Sequence, residues 1–204
     1  KPWAETYPQI YHHTCAVPLK WASLARDCAR ASLIEGSLEL ARKGRKVLLG
    51  LSDYTFEFEH YDVGMNYAIW GFLAIEAYDI LHDGFSIPER ESLDAFLERM
   101  LQAVRKCDEF WLKHEPGGAI NNHYTWHKLC FCALGLFQGR PDLVDAALHG
   151  PKGIDFLMTH GFADDGLWVE GSIGYQFAAT APMVLAAEML EKAGPDKLQD
   201  LDPS

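Results

Sequence analysis

Two short stretches of this chain gather the residue types that move protons beside a carboxylate: Asn121-Asn122-His123-Tyr124-Thr125-Trp126 and Glu170-Gly171-Ser172-Ile173-Gly174-Tyr175. Each opens a strongly apolar segment, so an amide, an imidazole and a phenol stand at the entrances of elements that should be buried. An amide and a donating imidazole can neutralise a carboxylate and make the adjacent C–H more acidic. A phenol oxygen can then take the proton and return it. The phenol does this only where nearby positive charge lowers its pKa from about 10. Asn122, His123 and Tyr175 are therefore the candidate catalytic set. The commoner motifs are missing from the sequence: there is no Gly-x-Ser-x-Gly, no His-Glu-x-x-His, no phosphate loop and no dinucleotide fingerprint. The residues call for no cofactor and no metal.

Elements must hold these side chains. Residues 1–19, with Pro2, Pro8 and Pro18 among aromatics, read as an ordered but irregular lead-in packed down by Trp3, Tyr7 and Tyr11. From Lys20, the residues Trp21, Leu24, Ala25, Cys28, Ala31, Ile34, Leu38 and Ala41 follow a 3.6-residue stripe. One amphipathic helix, or two in tandem, is predicted to end near Gly44. Phe56-Glu57-Phe58-Glu59 reads as an extended loop. After Asp62, a predicted N-cap, Met65 to Leu81 is apolar nearly all round and should be buried on every side. Asp83-Gly84 ends it, and Ser86 and Pro88 start a one-sided helix that carries Leu93, Phe96, Leu97, Met100, Val104, Cys107 and Trp111 on its inner face. A second buried helix follows Asn121 and closes at Gly139 and Pro141, and a short outer helix covers 142–148. Asp164-Asp165-Gly166 is turn chemistry. A third buried helix runs from Ser172 to a stop at Gly194-Pro195.

No pair of alternating β-branched runs appears, so the chain reads as all-α. Wholly apolar helices alternate with one-sided ones, as a double-layered ring of helical hairpins requires. No motif recurs at a fixed period, which argues against a solenoid. The expected architecture is an α/α toroid, or an arc of one, over residues 1–204 as one domain. Inner helices separated by a single outer helix run in the same direction, so their N-termini should collect at one mouth: His60 to Asn66, Asn121 to Trp126, and Glu170 to Tyr175. Free N–H groups and the helix dipole there would suit an anionic ligand.

Composition narrows the partners. The chain has 204 residues, is 49% hydrophobic and carries a net charge of −11, with only 18 Lys and Arg. That balance excludes a basic stripe for nucleic acid or an anionic membrane, so positive potential for an anionic ligand must be local. The longest apolar stretch, around Phe177 to Ala187, is broken by Pro182 and is shorter than the roughly 20 residues of a spanning helix. Five cysteines without a ligand framework read as small buried hydrophobes. The chain begins at Lys1 without a leader pattern, as a mature form or a fragment would.

Asn121-Asn122-His123-x-x-Trp126, followed by Asp165-Gly166-x-x-x-Glu170-Gly171-Ser172-x-Gly174-Tyr175, resembles the helical domain of the heparinase II/III and alginate lyase superfamily of polysaccharide lyases. The resemblance covers residues 60–190, and the pair of motifs carries it. It implies an α/α toroid followed by C-terminal antiparallel β-sheet domains of the same protein, and β-elimination of an anionic, uronate-containing polysaccharide. It assigns Asn122 and His123 to carboxylate neutralisation, His123 also as a base for the other C5 configuration, and Tyr175 as base and acid. Heparinase II-like members carry a glutamate three residues after the histidine. Trp126 stands there in this chain, which moves the reading toward the alginate lyase branch. Export to the periplasm or outside the cell is the family's habit.

Around that set, Asn121, Tyr124, Trp126, His127, Trp168, Glu170, Tyr67 and His60 are the candidate substrate-binding residues. Several have plainer readings: Asn121 as a helix cap, Trp126 and Trp168 as core aromatics, His127 as a satisfied core histidine, and Glu170 as the close of a turn. Two other functions fit the composition. A glycoside hydrolase on the same fold would use Asp165 and Glu170 as its carboxyl pair, and a carbohydrate-binding scaffold would need no proton transfer at all.

Overall fold

The computed structural model describes residues 3–56, 62–114 and 120–199. His60 and most of the Phe56–Glu59 segment lie outside the described residues. Among those described, every extended element is helical: α1 (Trp3–Tyr11), a π-helical turn (His12–Ala16), α2 (Val17–Glu35), α3 (Leu38–Ser52), α4 (Val63–Leu81), a 3₁₀ turn (His82–Gly84), α5 (Ile87–His114), α6 (Asn122–Gln138), α7 (Pro141–Leu148), α8 (Ile154–His160) and α9 (Ile173–Gln199). The chain is all-α. It divides into two compact units, Lys1–Val104 and Arg105–Ser204, with α5 contributing to both.

In the first unit the irregular lead-in gives way to helix. Pro18 has no N–H to return to the Thr14 carbonyl one α-turn earlier. Trp70 Nε1 donates to that carbonyl instead, at 2.9 Å, and Tyr54 Oη donates to the His13 carbonyl at 3.0 Å. Thr14 Oγ1 accepts from Asn66 Nδ2 at 3.0 Å, completing a buried polar seam around the widened turn. Pro18 is thus accommodated by side chains supplied from farther along the chain.

The stripe from Lys20 is two helices in tandem, one of the two expected arrangements, and the predicted stop near Gly44 is corrected to Ser52. The break comes earlier, at Gly36 in a left-handed conformation (φ 64°), and Ser37 Oγ then caps α3 by accepting from Leu40 N at 3.3 Å. Gly44 lies inside α3, where a Cβ would meet Leu81 Cδ1 at 2.9 Å and the Ala25 carbonyl at 3.2 Å. It allows close approach between helices. Helix α4 is buried over most of its surface, as its composition predicts, with Tyr67, Trp70 and Tyr78 fully enclosed. Asp62 occupies its N-cap position but makes no side-chain capping bond. At α5 the start is closed from one side, with Glu89 Oε2 accepting from Ser86 N at 2.7 Å and from Ser86 Oγ at 2.8 Å. Those hydrogen bonds hold the Glu89 carboxyl below its usual range.

In the second unit, α6 is enclosed from Leu129 to Gly135 and ends at Gly139 in a left-handed conformation (φ 63°). A core of Tyr124, Leu157, Trp168, Ala179 and Met183 joins α6, α8, the 161–169 turn and α9. That turn pairs Phe162 with Trp168 across one antiparallel bridge, around Asp164-Asp165-Gly166. Helix α9 departs from the expectation twice. It continues past Gly194-Pro195 to Gln199, and it is packed on one side only. Ala179, Met183 and Ala186 are buried, whereas Ile173, Phe177 and Val184 are exposed. Its sequence is apolar all round, but the described chain packs only one of its faces. All five cysteines are buried and unbridged, and burial pushes the Cys130 and Cys132 thiols up to about 12.

Candidate active site

The first turn of α6 is built by its own asparagines. Asn121 is extended (φ −140°, ψ 166°), and its Oδ1 accepts from His123 N at 3.0 Å, so it is the N-cap. Asn122, the first helical residue, is buried. Its carbonyl accepts from Thr125 Oγ1 at 2.7 Å, and its N–H donates to Glu170 Oε2 at 2.7 Å. The same carboxylate oxygen accepts from Trp168 Nε1 at 2.7 Å, and Trp168 N donates to Gln176 Oε1. One chain of hydrogen bonds therefore runs from the start of α6 through Glu170 and Trp168 to the start of α9.

Tyr175 stands in that first turn of α9, its N–H donating to Ser172 Oγ at 3.1 Å, with its side chain 47% exposed. Because Gln176 is its neighbour, the turn presenting the phenol is tied to the turn presenting Asn122 and His123. Glu170 closes this link. It also sits at the positive end of α6, where a carboxylate is favoured. The expected pool of free N–H groups for an anion is consequently reduced, since the N–H groups of Asn122 and His123 are both bonded within the protein. A ligand here meets side chains.

His123 is half-buried. Its ring lies against Trp111 of α5 (centroids 4.8 Å, tilted) and meets the His127 ring edge-on at 6.3 Å. Beneath it, His127 Nδ1 donates to Asp108 Oδ1 at 3.1 Å and Lys128 Nζ donates to Asp108 Oδ2 at 2.8 Å. Burial alone would raise the Asp108 carboxyl. The hydrogen bond and attraction of the His127 ring, with the Lys128 ammonium, outweigh that and hold it below the usual carboxylate range.

The other expected contacts are distributed unevenly. Trp126 is half-buried in the first turns of α6. Tyr124, His127 and Trp168 are enclosed within the second unit, and Tyr67 is enclosed within the first, bonded or packed to neighbours on all sides. These four rings offer no open face to a sugar, because the core of each unit closes over them. A groove of about 700 Å³ in the first unit, bordered by His13, Trp21, Asp53 and Tyr54, is lined by none of the expected site residues that the structure describes. Asp108 and Lys128 escaped the sequence reading. Their signal was present: Asp108 interrupts the apolar stripe of Val104, Cys107 and Trp111, and Lys128 interrupts the apolar run of α6.

The alginate lyase family model matches residues 70–202, a span that contains the Asn122-His123 and Tyr175 turns. An alginate lyase of Stenotrophomonas maltophilia (strain K279a) is 29% identical over 144 residues, covering 65% of this chain and 18% of the relative. An exo-oligoalginate lyase of Saccharophagus degradans (strain 2-40) is 25% identical over 138 residues, with the same coverages of 65% and 18%. The chain thus spans less than a fifth of the length of these curated relatives. With most of its residues matched by the family model, including the Asn-Asn-His turn and the Tyr175 turn, the chain belongs to the alginate lyase family.

Proposed function

We propose that the protein is a polysaccharide lyase that cleaves a uronate-containing polymer by β-elimination, and that alginate-type polymers suit it better than heparin-type ones. The observation that carries this reading is the hydrogen-bonded link that holds the Asn122-His123 turn and the Tyr175 turn together through Glu170 and Trp168. In this reading Asn122 and His123 neutralise the uronate carboxylate at C5. Tyr175, as phenolate, takes the C5 proton. The electron pair left at C5 forms the C4–C5 double bond as the C4–O bond breaks, and the Tyr175 proton passes to the departing oxygen. The protein's charge balance is restored within one turnover. For the opposite C5 configuration, His123 takes the proton.

Direct sugar contact falls to Asn122 at the carboxylate and to the more accessible side chains of His123, Trp126 and Tyr175, while Asn121, Tyr124, His127, Trp168 and Glu170 act by holding them. Residues 1–204 are read as one toroid domain, supported by the alternation of the buried α4 and α6 with the one-sided α5. The remaining wall of the cleft falls to β-sheet domains of the same protein. Export to the periplasm or beyond places the enzyme where polymer is met. The hydrolase reading is disfavoured because Glu170 Oε2 is committed to two donors, Asn122 N–H and Trp168 Nε1, as the link between the two turns.

The test is an absorbance screen of alginate, glucuronan, hyaluronan, heparan and ulvan with the full-length protein and its Tyr175→Phe variant. Wild type should raise ultraviolet absorbance as the conjugated double bond forms, and the variant should lose at least about 100-fold of that rate. Depolymerisation without a rise in absorbance would overturn the reading.

A further inference from the structure

Behind the carboxylate-binding pair lies a buried charge cluster that the elimination steps leave unused. Asp108, His127 and Lys128 have side chains only 8, 0 and 2% exposed, joined at 3.1 and 2.8 Å. Replacing such a cluster with packed apolar groups is often neutral or stabilising, because desolvating the charges offsets their attraction. Stability is therefore a weak reason for its presence. Fixing one packing geometry is a stronger one.

The register shows what is fixed. Asp108 and Trp111 are three residues apart on α5, and His123 and His127 are four apart on α6, so each pair lies on one helix face. Trp111 covers one side of the His123 ring, and the edge of His127 bounds another. Among the described residues, Asp108 is the one hydrogen-bond partner of the His127 ring, whose Nε2 is buried without a partner. The rotation of that ring is therefore set by one hydrogen bond together with the packing that encloses it. Removing the Asp108 carboxylate loosens the ring that abuts His123 and leaves the Lys128 ammonium buried without its counter-charge.

We propose that Asp108 is a positioning residue that acts through His127 to set the orientation of His123. The inference rests on the lyase reading of His123. Misplacing a reacting group by a fraction of an ångström to an ångström lowers turnover far more than binding.

Two variants of the full-length protein test it. Asp108→Asn keeps the size of the side chain but offers one acceptor where two donors converge. Its kcat should fall roughly 10–100-fold with KM within about threefold of wild type. The triple variant Asp108→Leu/His127→Leu/Lys128→Met removes every charge of the cluster, so it should melt at or above the wild-type temperature and still show the loss in kcat. With histidine-selective ¹⁵N labelling, the His123 ring resonances should shift from their wild-type positions in both variants. Wild-type kcat in the triple variant, or unshifted His123 resonances in Asp108→Asn, would overturn the proposal. Should the wild-type protein cleave no uronate polymer, the lyase reading falls, and the resonances alone decide whether Asp108 orients His123.

Discussion

Asn121 and Asn122 are adjacent and chemically identical, yet the backbone gives them different work. An extended conformation turns the Asn121 side chain back onto the helix as a cap, while Asn122 is inside the helix, its N–H bonded to Glu170. Asn121→Ala should therefore lower stability by about 1 kcal/mol, read as a shift of the denaturant midpoint. Asn122→Ala should act chiefly on turnover. In the sequence, the Asn-His pair and Tyr175 stand out because their types match a proton-transfer chemistry. The division between the two asparagines does not, since a cap and a ligand-binding amide use the same side chain. Asp108 was harder to find. Its partners lie on another helix, and only the interrupted apolar stripe hinted at them.

At the scale of elements, composition alone was enough for α4 and α6, whose apolar residues leave no face for water. It failed where a distant side chain repairs a local defect. Pro18 reads as a breaker, but Trp70 serves the carbonyl it leaves open, and helix continues on both sides. It failed again at α9, where an apolar surface does not by itself supply a neighbour to cover it. Glycines inside helices divide by the same logic of contact. A Cβ at Gly135 would lie 2.7 Å from Val144 Cγ2 and 3.0 Å from the Arg140 carbonyl, part of the α6–α7 connection that cannot swing away. Gly135→Ala should destabilise the protein by about 1–3 kcal/mol, outweighing the gain of about 1 kcal/mol in helix propensity. Nothing lies within 4 Å of a Cβ at Gly50, so Gly50→Ala should instead raise stability, by about 0.5–1 kcal/mol. Thermal unfolding of the two variants separates the cases by sign.

For the whole molecule, the net charge of −11 means that an anionic ligand would approach against the overall field, so attraction would have to come from local side chains such as His123. Acid exposes a second global property. An unfolded aspartate titrates at about 4, and Asp108 titrates lower in the folded chain. Its contribution to stability is present above that unfolded value and is lost as pH falls through the folded one. Denaturant midpoints followed from about pH 6 down to about pH 2 should fall in that window, and Asp108→Asn should remove that part of the slope. The single Glu170 oxygen that joins Asn122 to Trp168 has a consequence for descent as well. A change at Glu170 strands two donors at once and a change at Trp168 removes one of them, whereas the Asn122 donor is a backbone N–H that survives substitution of its side chain, so lineages should exchange Glu170 and Trp168 as a pair while the Asn122 link constrains Glu170 alone.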